Sequence, residues 1–182
     1  MPFAAGVSQP PTFLESVVPL LHAQFHPLGS AIAQIVTLPG QVAISFLLVV
    51  FAAWRLRNAT WVAAWLAVVA VEVVFRHALT RPGLYRDGVH LVAFDTSWPS
   101  GHALRSAIVA AAIAAAWPGL RIPLAVWLAA VAVLLELAGF HTPTDIGGGL
   151  LLAAAAVALE ESGLLRRWAA LGRSWWRTRA TS

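Results

Sequence analysis

The chain has 182 residues, 59% of them hydrophobic and 11% charged, with a formal net charge of +4 and a mean hydropathy of +0.76. A soluble domain carries about 25% charged residues, so this composition excludes one and indicates helices of about 20 residues each in a membrane. The absence of cysteine excludes a disulfide framework and a thiolate metal site. The twelve basic residues, all arginine, flank apolar segments rather than gathering on a soluble basic face. That pattern reads as membrane topology and not as a nucleic-acid surface.

Residues 1–54 hold no lysine or arginine, so a cleaved signal peptide with its positive leader is not expected. Residues 12–38 are moderately apolar but broken by Pro19, His22, His26 and Pro27. An interfacial helix followed by a short one fits that pattern better than an additional span. His22 and His26, four apart, read as interface residues in preference to metal ligands. The first clear span covers residues 41–54 and stops at Arg55 and Arg57. Residues 60–79 form the next, entered by Trp61 and Trp65 as interface anchors. A polar loop over residues 83–98 contains Tyr85, Arg86, Asp87, His90 and Asp95, with Asp87-Gly88 as a turn signal and Trp98 as a further interface anchor. Residues 102–117 are rich in alanine, which lets neighbouring helices approach closely; the run 109–116 suits packing within the chain, or a homodimer face. Residues 122–140 and 145–159 complete the spans. Residues 164–179, with five arginines and three tryptophans, read as an amphipathic helix lying on a surface.

The expected fold class is therefore all-α: an integral membrane bundle of five transmembrane helices, six if residues 12–38 also cross. Residues 1–38 form an interfacial or partly inserted segment, 39–161 the bundle and 162–182 a basic tail. With five alternating spans, the turns at Arg55/Arg57 and at Arg121 share one face with the tail, and the positive-inside rule makes that face cytoplasmic. The loop from Arg81 to Ser100 and the turn at His141 then lie on the outer face.

Two polar signatures stand on that outer face, each at the mouth of an apolar helix. In the turn at His141, Thr142 has N-cap character, Pro143 suits the first helical position, and Asp145 falls where a capping box places its acid. Asp145 also lies one turn from His141, about 5–6 Å between side-chain origins, where a carboxylate can fix the imidazole tautomer and leave the other nitrogen nucleophilic. In Pro99-Ser100-Gly101-His102, Ser100 can cap the next helix, Gly101 admits close backbone approach, and the free amides of the helix mouth bind anions. His102 is placed to act as a general acid. Arg81, before the helix-ending Pro82, offers a guanidinium that can grip two phosphate oxygens at once.

These turns resemble the type 2 phosphatidic acid phosphatase superfamily, which also includes soluble acid phosphatases and vanadium haloperoxidases. Its pattern is a lysine, six residues and Arg-Pro; then Pro-Ser-Gly-His; then Ser-Arg, five residues, His, three residues and Asp. Arg81-Pro82, Pro99 to His102, and His141 with Asp145 match in order over residues 40–160. The departures are that the family lysine falls at Val74 and the Ser-Arg pair at Leu134-Leu135. Arg105 and His77 are candidates to replace the missing cations; His77 shares the face of Val74, whereas Arg76 is expected to point away. Glu136 is the expected partner of Arg105, and Glu72 is a second intramembrane carboxylate in need of one.

The resemblance implies a lipid-phosphate phosphatase that needs no metal or other cofactor, with His141 as nucleophile, Asp145 steadying it and His102 protonating the leaving oxygen. Arg81, Ser100 and the Gly101 amide would hold the phosphoryl oxygens. It further implies a bacterial cytoplasmic membrane, a site facing outward, and a prenyl or glycerolipid phosphate or diphosphate as the partner in the bilayer. A lipid phosphotransferase and a non-catalytic lipid-phosphate binder or transporter are the alternatives.

Overall fold

A computed structural model of the protein describes residues 28–78, 85–86, 89–90, 98–138 and 140–164. Arg81-Pro82, Asp87-Gly88, Asp95, His22, His26 and the arginine-rich tail lie outside the described residues. Six α-helices are present among those described: α1 (Leu28–Thr37), α2 (Val42–Leu56), α3 (Thr60–Ala78), α4 (Gly101–Ala116), α5 (Arg121–Leu137) and α6 (Pro143–Glu161). Among the described residues the architecture is all-helical apart from a minimal hairpin between α3 and α4. There β1 (Tyr85–Arg86) pairs antiparallel with β2 (Val89–His90), Tyr85 opposite His90.

All five helices expected from residues 41 to 159 form. By length and apolarity, α3, α6 and α5 with its preceding 3-10 turn are each able to cross a membrane. The α2 helix joins them only if counted with α1 and the turn Leu38–Gly40, from which it is bent by 45°. Pro39 and Gly40 in that turn account for the break, since proline has no amide to continue a helical ladder. The α4 helix has 16 residues, about 24 Å of rise.

Alanine content sets the layering. α4 packs against α2, α3, α5 and α6. Small side chains let those backbones close around it, and its buried face runs through Leu104, Ile108, Val109 and Ala112. That face meets Val49, Ala52 and Ala53 of α2, Trp61, Trp65 and Val68 of α3, and Ala153 and Ala156 of α6. By contrast α5 is peripheral: Val131 and Leu135 are buried, while Ile122, Val126 and Val133 are exposed, as suits a helix whose outer face meets acyl chains.

Two local expectations are corrected by this packing. Trp61 and Trp65 are core residues, not interface anchors; both are 5% exposed, and the Trp65 indole donates to Ser45 Oγ at 3.1 Å. A buried indole needs such a partner, and α2 supplies one. The residues that present aromatic surface are instead Trp54, exposed at 72%, and Trp117, whose ring stacks on Phe51 at 5.5 Å. Helix α1, the described end of segment 12–38, is a short helix of ten residues. It packs on α5, with the Trp127 indole donating to the Val36 carbonyl at 3.0 Å.

The helix ends sort as alternating crossings require. Asn58 donates to Glu160 Oε1 at 2.6 Å, which ties the α2–α3 turn to the C-terminus of α6. The Phe51–Trp117 stack brings the turn before Arg121 to the same end. Arg55, Arg57 and Arg121 are therefore at one end, and the mouths of α4 and α6 are at the other.

Candidate active site

The N-termini of α4 and α6 meet through the backbone: the Ser100 amide donates to the Asp145 carbonyl at 2.9 Å. At α4, Ser100 has an extended backbone and its Oγ accepts from the Ala103 amide at 3.3 Å, as an N-cap should. At α6, the Asp145 amide donates to Thr142 Oγ1 at 3.3 Å and the Thr142 amide to Asp145 Oδ2 at 3.0 Å, so the expected capping box is present, with Pro143 in the first turn. Both Ser100 and Asp145 are fully buried.

Glycines make this approach possible. A Cβ on Gly149 would sit 2.5 Å from the Ser100 carbonyl oxygen, and one on Gly148 would strike the Trp98 indole. Trp98 is half-buried at this contact. It is wedged between Gly148 and Phe75, with its ring edge-on to the phenyl at 5.0 Å, and it braces the turn that carries Ser100. Gly101 has no room for a side chain either, because a Cβ there would collide with the Glu72 carboxylate and lie 2.6 Å from Arg105 Nη1.

Beneath Gly101 lies a buried ion cluster. Arg105 Nη1 donates to Glu72 Oε2 at 2.5 Å, and Arg105 Nε donates to the Gly40 carbonyl at 2.7 Å. Arg76 Nη2 lies 3.0 Å from Glu72 Oε1. Two expectations change here. The partner of Arg105 is Glu72, not Glu136, and the face of α3 that meets the ion cluster is not that of Val74 and His77 but the opposite one, where Arg76, as expected, points away from them. Glu72 and Arg76 are four apart on α3 and so share a face, a signal present in the sequence. His77 is exposed, with Nδ1 at 2.7 Å from the Val73 carbonyl of its own helix, and Val74 faces outward at 64% exposure.

His102 is in the first turn of α4 and His141 immediately precedes the N-cap of α6, so the joined helix mouths carry one histidine each. His141 Nδ1 stands 4.0 Å from Asp145 Oδ2, and its side chain is 11% exposed. That separation is ion-pair reach rather than a hydrogen bond, a kind of contact that in enzymes often tightens only around substrate. The structure thus brings together His102, His141, Asp145, Ser100, Gly101 and Arg105 from the predicted site. It leaves His77 outside, and Arg81 lies beyond the described residues.

Asp145 serves both as cap and as neighbour of His141, and one substitution separates these roles. In Asp145→Asn the amide oxygen can still accept from Thr142, so the expected loss of stability is under about 1 kcal/mol by thermal unfolding in detergent. If the carboxylate also serves to orient the imidazole, turnover is expected to fall by about 100-fold or more. Equal, small losses in both measurements would make Asp145 a cap alone.

Comparison with the curated proteins and with the solved structures found no match. The PAP2 superfamily model, however, matches residues 76–167, half of the chain, from Arg76 through both helix mouths to the end of α6. The apolar helices make this a membrane protein, and the chain belongs to the PAP2 superfamily, whose members are generally phosphatases acting on phosphate esters.

Proposed function

We propose that the protein is a membrane lipid-phosphate phosphatase that works through a phosphohistidine. The observation that carries this reading is the Ser100–Asp145 bond, which joins the helix mouths that bear His102 and His141 at one end of an apolar bundle. Helix N-termini facing one another repel unless an anion lies between them. A phosphate at that depth belongs to a molecule whose remainder lies among acyl chains.

His141 Nδ1 faces Asp145, so Nε2 is the nitrogen that attacks phosphorus. As the N–P bond forms, the ester P–O bond breaks, and His102 gives its proton to the departing alkoxide. A water then gives a proton back to His102 and attacks the phosphohistidine, which restores His141 and releases inorganic phosphate. The Gly101 amide, Ser100 and Arg81 stabilise the charge that builds on the equatorial oxygens. None of these steps calls for a metal. The arginine-bearing end is the cytoplasmic one, so the site opens on the outer face of a bacterial cytoplasmic membrane.

The test is phosphate release by the detergent-purified protein from phosphatidate, phosphatidylglycerophosphate, polyprenyl phosphates and diphosphates, with a water-soluble aryl phosphate for comparison. The apolar remainder of a true substrate contributes binding energy, so kcat/KM for one lipid class should exceed that for the soluble ester by about 100-fold or more. A preference for the soluble ester would contradict the lipid assignment. Release that appears only as transfer to a second lipid would make the enzyme a phosphotransferase.

A further inference from the structure

We infer that the arginine-bearing end of the bundle binds an anionic phospholipid in a groove between α2 and α3, with the lipid phosphate on Arg55 and Arg57 and an acyl chain against Val50 and Val62. This site is at the opposite end from the helix mouths and does not depend on the phosphatase reading.

The groove has a volume of about 610 Å³ and opens on one side to the surroundings of the bundle. Its polarity is graded. Arg55, Arg57 and Asn58 line it at the α2–α3 turn, whereas Val50, Ala53 and Val62, further along the two helices, line it deeper in the bundle. Charge at the membrane surface with an apolar wall below it is the order of groups in a phospholipid. No acidic side chain lines the groove. Arg55 and Arg57 are exposed, and neither forms an ion pair among the described residues. The carboxylate tied to this turn, Glu160, is 2% exposed and accepts from Asn58. The two guanidinium charges are therefore left for a ligand of opposite sign, and a phosphodiester is one that a guanidinium can grip through two oxygens.

The backbone supplies a second observation. Arg57 lies at φ 51° and ψ 38°, the one non-glycine residue at positive φ among those described. Its amide closes α2 by donating to the Ala53 and Trp54 carbonyls. Glycine or asparagine makes that closure at lower cost, so the arginine answers to its side chain and not to the turn. Strained positions of this kind gather at ligand clamps. Trp54, at the same groove and 72% exposed, has the amphipathic ring found at headgroup level. The rival occupants carry the wrong charge: residues 165–182 bring five more arginines, and a second copy would bring Arg55 and Arg57 again.

The test uses the full chain in phosphatidylcholine vesicles containing a rising share of dibrominated phosphatidylglycerol or, for comparison, dibrominated phosphatidylcholine. Bromine quenches an indole that it touches, and the part of the signal missing from Trp54→Phe reports this groove rather than Trp98 at the other end. One arginine beside an anionic headgroup contributes about fivefold in affinity, so Trp54 should report a preference for phosphatidylglycerol of about 20-fold. Arg57→Gly keeps the left-handed turn and should lower that preference about fivefold, with a thermal midpoint unchanged or raised. Arg55→Gln/Arg57→Gly should bring the two lipids near parity. Arg121→Gln, at the same end but outside the groove, should change nothing. Excess inorganic phosphate at constant ionic strength should not displace the lipid, because it has no chain to place on Val50 and Val62. Equal quenching by both lipids in wild type, or an undiminished preference in the double variant, overturns the inference. An equal loss in Arg121→Gln would make the attraction diffuse surface charge and overturns it too. Displacement by inorganic phosphate would make the groove a phosphate site and overturn the lipid assignment.

Discussion

His141→Ala is expected to abolish phosphate release, with turnover reduced by about 10⁴-fold or more and the fold unchanged. The size of the effect follows from the role. A nucleophile that forms the covalent intermediate has no substitute, and deleting such a residue costs about as much as deleting the whole catalytic set. Structural integrity follows from position. His141 precedes the N-cap, so its removal leaves the Thr142–Asp145 capping box and the Ser100–Asp145 bond in place. Its side chain is not part of either hydrophobic core cluster. The thermal midpoint should therefore move by no more than a surface substitution moves it, less than about 1 kcal/mol in stability. A variant that keeps even a tenth of wild-type turnover would remove His141 from the nucleophile role. A variant that unfolds would instead assign it to holding the turn.

The largest effect on stability is expected at Arg105. Arg105→Ala removes the anchor of Glu72, which is 4% exposed, and strips the Gly40 carbonyl of its guanidinium bond. Breaking a buried pair from one side costs about 3–5 kcal/mol, because the remaining charge has lost the partner that compensated its desolvation. Arg76 retains its contact with Glu72 and offsets part of that cost. Thermal unfolding in detergent measures the loss, and limited proteolysis at the Leu38–Gly40 turn locates it, since the Arg105 Nε bond is a side-chain hydrogen bond that helps to hold that turn on α4. Arg105→Lys should recover only part of the stability. A single ammonium on a flexible stem cannot reproduce a fork that reaches Glu72 and Gly40 together. An unchanged midpoint in Arg105→Ala would mean that the pair contributes no more than a surface ion pair.

What the sequence made legible was local. The capping box at Thr142 and Asp145 depends on residues three apart, and the five helices from residue 41 to residue 159 depend on apolar runs between arginines and prolines; both appear as expected. The ion cluster was not legible because its parts are distant in the chain. Arg105 and Glu72 are 33 residues apart, whereas Glu136 looked suitable only because it precedes His141 closely. Aligning the family lysine with Val74 drew attention to His77, on the same outward face, although the four-residue spacing of Glu72 and Arg76 already marked the inner one. Trp61, Trp65 and Trp98 look alike in sequence to any tryptophan near a helix end. Their partners (Ser45 for Trp65, Phe75 and Gly148 for Trp98) come from other helices. Nothing in the sequence reading singled out Gly149; the approach of the Ser100 carbonyl shows what it admits.

Rapid-quench trapping tests the central claim most directly. Wild-type protein is mixed with a radiolabelled lipid phosphate that it turns over, stopped within one turnover, and examined for protein-bound label. The account predicts label on His141, released by acid and stable to alkali as a phosphohistidine is, forming and decaying fast enough to carry the steady-state rate, and absent from His141→Ala. Turnover without any covalent label, or label that persists in His141→Ala, would contradict it.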